Sequence, residues 1–92
     1  MFSQFSIAEK ISEATSLVAR VLEQAGYPER IEDTFELIRA NECGIALENL
    51  CSNLHEFSCP VPQRAYELLQ EAGNAMRVDS KYWQLLEPQI VG

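Results

Sequence analysis

Residues 42–57 read Glu-Cys-Gly-Ile-Ala-Leu-Glu-Asn-Leu-Cys-Ser-Asn-Leu-His-Glu-Phe. Leu47, Leu50, Cys51 and Leu54 recur at i, i+3, i+4 and i+7, and Phe57 adds a further step. That spacing draws one apolar stripe along a helix of about four turns. The opposite face, Glu48, Asn49, Ser52, Asn53 and Glu56, is polar and acidic and holds no lysine or arginine. A face this uniform on a central helix is either solvated or kept for a partner.

Upstream, Ser6-Ile7-Ala8-Glu9 has the form of a capping box and predicts a helix start. Ile7, Ile11, Ala14, Val18, Val21, Leu22 and Ala25 then keep helical period as its inward side. Gly26 is placed as a C-cap, and Pro28 both stops that helix and opens the next. The second helix points Ile31, Phe35 and Ile38 inward, with Leu37 at the flank. Its outer face stacks Glu29, Glu32, Asp33 and Glu36 at i, i+3, i+4 and i+7. Like charges at those spacings cost a few tenths of a kcal/mol per pair, roughly. A stripe that weakens its own helix is a candidate docking surface; as a dipole and solubility feature it needs no partner.

Downstream, Ser58-Cys59-Pro60-Val61-Pro62 breaks the helix and biases Cys59 and Val61 toward extended backbone. Pro62 opens a fourth helix with Ala65, Leu68, Leu69, Ala72 and Met76 inward. The small residues Ala65, Ala72, Gly73 and Ala75 predict a tight crossing against the central helix. Asp79 caps a last short helix that carries Tyr82, Trp83, Leu85 and Leu86, with Trp83 closing the core. No segment alternates with period two, so no strand is predicted. The expectation is an all-α, compact single-domain bundle of about five helices over residues 1–92.

Fourteen acids against seven bases give a net charge of −7. Residues 23–56 hold eight of the acids and two of the bases, so the negative field sits in the middle of the chain. Such a field repels nucleic acid and anionic lipid and speeds encounter with basic partners. No basic leader and no apolar run near 18 residues occurs, so a cytoplasmic protein without membrane contact is expected. Cys43, Cys51 and Cys59 are odd in number and read as reduced, buried thiols.

His55 is the single histidine, which removes Ser-His-Asp and two-histidine chemistries. Cys51, His55 and Cys59 at i, i+4 and i+8 have the ligand types of a zinc site, but Pro60 distorts the helix beside Cys59 and no C-x-x-C pair exists. Pairs such as Glu32 and Glu36, or Asp33 and Glu36, lie on a convex surface with no apolar pocket to raise a pKa. Phosphate loops and dinucleotide fingerprints are absent from the sequence. The expectation is a binding protein with no catalytic residue, no metal and no cofactor.

Residues 44–56, Gly-Ile-Ala-Leu-Glu-Asn-Leu-Cys-Ser-Asn-Leu-His-Glu, are followed by a proline-containing loop, Tyr66-Glu67-Leu68-Leu69 and Tyr82-Trp83-Gln84-Leu85-Leu86. This pattern resembles the MafI-type immunity proteins of bacterial polymorphic toxin and contact-dependent growth inhibition systems, over about residues 30–88. The resemblance implies a small helical cytosolic antidote that binds a cognate toxin C-terminal domain, often a ribonuclease of the EndoU type. An RNA-cleaving toxin needs a basic groove for phosphates, and an acidic helical surface fits such a groove. The expected contact surface is Glu29, Glu32, Asp33 and Glu36 with Glu48, Asn49, Ser52 and Glu56. Glu48 also suits an internal hydrogen bond to a neighbouring helix. Two other classes stay open: a helical homo-oligomeric or adaptor module, and a metal-binding regulator built on Cys51, His55 and Cys59.

Overall fold

The structure is a computed structural model and describes residues 4–92. In chain order the elements are α1 (Gln4–Gln24), α2 (Pro28–Arg39), α3 (Cys43–Glu56), β1 (Val61–Pro62), α4 (Gln63–Met76), α5 (Lys81–Gln84), a 3-10 turn (Glu87–Gln89) and β2 (Ile90–Val91). The fold is an all-α bundle of five helices carrying one two-stranded parallel sheet. As its stripe predicts, α3 is central: it packs against each of the other four helices.

In α1 the residues Ile7, Ile11, Ala14, Val18 and Leu22 are buried, and the Thr15 hydroxyl, also buried, donates to the Ile11 carbonyl at 2.7 Å. The capping-box expectation is corrected: α1 is already helical at Gln4, so Ser6 lies inside the helix rather than at its cap. Such a signature places a helix start only to within a residue or two. Ala25 is exposed because the helix ends one residue earlier, at Gln24.

The first four helices close in the same way. At the end of α1, Gly26 (φ 96°) is left-handed, its amide donates to Glu23 and the Tyr27 amide donates to Leu22, each at 3.0 Å. This is a Schellman closure, which satisfies carbonyls the helix end would leave orphaned. Asn41 after α2, Ser58 after α3 and Arg77 after α4 repeat it, with φ of 63°, 50° and 60°. Their following residues, Glu42, Cys59 and Val78, reach back to Leu37, Leu54 and Gly73 at 2.8, 3.0 and 2.9 Å. Gly26 was foreseeable; Ser58 and Arg77 carry no composition signal for a left-handed backbone.

Two packing expectations change. In α2 the one fully buried side chain is Thr34, flanked by half-buried Ile31, Leu37 and Ile38, while Phe35 lies outside the core cluster. The inward side is therefore the 31-34-38 row, and a threonine occupies its centre with its hydroxyl bonded to the Arg30 carbonyl at 2.9 Å. In α4 the tight crossing is made against α1 rather than α3. The 21-residue α1 offers the longer stripe, and Lys10 of α1 pairs with Glu71 of α4 at 2.9 Å.

Strands absent from the sequence expectation appear where extended backbone was foreseen. Val61 pairs with Ile90 and Pro62 with Val91, too short a ladder to produce an alternating pattern. The Gln89 amide holds this corner, donating to the Leu54 and Cys59 carbonyls at 2.8 Å each. The N-cap of α5 is Ser80 rather than the expected Asp79, which stands one residue earlier and accepts from the Lys81 amide at 3.0 Å; α5 places Trp83 in the core as expected.

Candidate functional site

Residues 40–42 are the whole connection between α2 and α3, so the two form a helical hairpin. At the hairpin's open end the Tyr27 ring, at the N-cap of α2, stacks on the Phe57 ring, at the C-cap of α3, with centroids 3.7 Å apart and planes 5° from parallel. This stack pins the start of α2 to the end of α3 and makes the pair antiparallel. Between them lies an open groove of about 430 Å³, lined by Asp33, Glu36, Leu37, Ala40 and Asn49.

The lining brings together three of the eight residues expected at the contact surface: Asp33 and Glu36 from α2 and Asn49 from α3. Glu29, Glu32, Ser52 and Glu56 are also exposed but lie outside the groove. Ser52 and Glu56 extend the Asn49 row at i+3 and i+7. Glu48 is half-buried and makes no side-chain hydrogen bond or ion pair among the described residues, so the internal bond considered for it is not formed. Its charge acts inward instead, on Cys51. Burial first, and the Glu48 carboxylate second, push the Cys51 thiol up to about 12.

The acidic stripe is not uniform once folded. Glu32 is held by Arg39 at 2.9 Å, which neutralises one carboxylate on the outer edge of α2. The Asp33 and Glu36 carboxylates enter no ion pair or hydrogen bond among the described residues. No lysine or arginine lines the groove. The negative charge of this groove is therefore uncompensated.

Leu37, Ala40 and Ile45 are the residues that sequence reasoning missed. Leu37, at the flank of the core stripe, lines the groove together with Ala40. Ile45 is 46% exposed, comparable with Leu85 at 48% and Val91 at 50%. It stands four residues before Asn49, on the same row of α3, and that spacing alone would have found it.

Elsewhere the polar groups serve the fold. His55 Nδ1 is 3.2 Å from Gln89 Oε1; since the Gln89 amide nitrogen already donates twice, its oxygen accepts from the imidazole. Cys51 and Cys59 are buried while His55 is exposed, and no group of three or more potential metal ligands occurs among the described residues. Tyr66 donates to Glu87 at 2.8 Å, and burial together with that bond pushes its phenol up to about 12. None of the described helices is long and apolar enough to cross a membrane. No protein-family model, curated protein or solved structure matches the chain.

Proposed function

We propose that this protein is a non-catalytic antidote that acts in the cytoplasm by binding a cognate toxin domain, a basic EndoU-like ribonuclease, and denying it RNA. The observation that carries the reading is the exposed acidic face of α2 and α3, on which Asp33 and Glu36 stand without a cationic partner. The resemblance of residues 30–88 to MafI-type immunity proteins supplies the class of partner. Charge of this kind mainly sets association rate and specificity, and buried anchors supply most of the affinity.

The test is co-production with the toxin domain encoded beside this chain's gene, read as survival and as RNA cleavage in vitro. Neutralisation by the native protein is expected, together with at least a ten-fold (about 1.4 kcal/mol) loss of affinity in the Asp33→Lys, Glu36→Lys double variant at unchanged helicity. Cleavage that proceeds unhindered in the presence of excess native protein would end the antidote reading.

A further inference from the structure

The groove between α2 and α3 has a mixed chemistry: its lining joins the apolar Leu37 and Ala40 to the carboxylates of Asp33 and Glu36 and to Asn49 of α3. We infer that it receives an apolar side chain from a lysine- and arginine-rich segment of a partner protein, whose flanking bases pair with Asp33 and Glu36. This rests on the reading of α2 and α3 as the partner face and adds what the partner must present there.

Each other occupant conflicts with an observation. Nucleic acid is repelled by a groove without a base and by a chain of net charge −7. A second copy would bring the same uncompensated carboxylates to the interface, because a two-fold contact sets a patch against itself. A cation would find two carboxylates and an amide, and no cluster of three ligating groups exists among the described residues. Enclosed small-molecule sites cover most of their ligand, whereas this groove is open along one side. What remains is the protruding side chain of a basic protein segment. Ile45, 46% exposed on the Asn49 row, extends the apolar contact beyond the groove.

The experiment titrates the isotopically labelled full chain with two synthetic peptides and follows amide chemical shifts. One is an amphipathic helix with leucines at i, i+4 and i+7 and lysines elsewhere; the other replaces each leucine by serine at equal charge. The expected result is saturable shifts at Leu37, Ala40 and Asn49 with the leucine peptide, and binding at least about ten-fold weaker with the serine peptide. Ala40→Trp, which fills the groove, should abolish the saturable component, and so should Asn49→Arg, which sets a cation in it. Both positions are exposed, so the native spectrum is retained. Equal binding of the two peptides, shifts scattered over all the acidic residues, no saturable binding, or undiminished binding by both variants would each overturn the inference. The antidote reading fails separately, when the native protein leaves toxin activity intact whatever the peptides do.

Discussion

Gly73 sits where α4 meets the single tryptophan, and a Cβ added there would fall 2.7 Å from Cη2 and 2.8 Å from Cε3 of Trp83, closer still to Cζ3. Two effects of Gly73→Ala oppose each other. Helix propensity favours alanine by about 1 kcal/mol, whereas forcing a methyl into a packed ring costs about 1–3 kcal/mol. Because Gly73 and Trp83 are both buried, the overlap wins, and a fall in Tm with altered Trp83 fluorescence is expected. A variant that melts higher than the parent would show that the ring does not lie on Gly73. Ionisation gives a second prediction. Burial, first among the causes, pushes the Cys51 thiol from its ordinary 9.0 and the Tyr66 phenol from its ordinary 10.0 up to about 12 each in the fold. Raised acids of this kind keep their full stabilising contribution below the unfolded values and lose it as pH climbs toward the folded ones. The urea midpoint should therefore hold from neutrality to about pH 9 and decline from there to about pH 12. Tyr66→Phe should flatten the upper part of that decline.

Among the elements, the helix ends carry a readable strain. Asn41, Ser58 and Arg77 adopt the left-handed conformation that glycine takes at Gly26. An L-residue there costs roughly 1–2 kcal/mol, and glycine's extra freedom in the unfolded chain returns about 0.5–1 kcal/mol of that. Ser58→Gly and Arg77→Gly should each stabilise by about 0.5–1 kcal/mol in denaturant titration, with Asn41→Gly giving less because asparagine tolerates the region. A destabilised Arg77→Gly would mean that its side chain contributes more than its backbone costs. Period-based reading found α1 to α4 and the centrality of α3, since buried leucines at helical spacing leave little alternative. It misread α2, where Thr34 rather than Phe35 faces the core, because a threonine that satisfies its own hydroxyl can replace an aliphatic residue. Pairing of α4 with α1 was not legible either, since an apolar stripe says that a helix is covered and not by which neighbour. Of the groove, the carboxylates were legible as an outward stripe. Leu37 and Ala40 were not, because a residue at the flank of an apolar stripe and one at a helix end carry no signal that a groove opens beside them.

At the scale of the whole molecule, the net charge of −7 predicts how a complex with a basic domain responds to salt. Association should slow markedly between low and physiological ionic strength, with dissociation changing less, in stopped-flow or surface-binding kinetics. A rate indifferent to salt would remove the acidic face from the encounter. The isolated protein is expected to sediment as one chain at micromolar concentration, and a dimer would favour the homo-oligomeric module instead. Cys43, Cys51 and Cys59, all buried, stand at the beginning of α3, in its middle and just past its end. A thiol shut away from solvent reacts with an alkylating reagent only while its surroundings are open, so its labelling rate counts openings. The native sequence thus has three clocks spaced along its central helix, and mass spectrometry can read them without any engineered probe. If the two ends tick faster than Cys51, the helix frays from its termini; if all three keep one rate, the molecule opens as a unit.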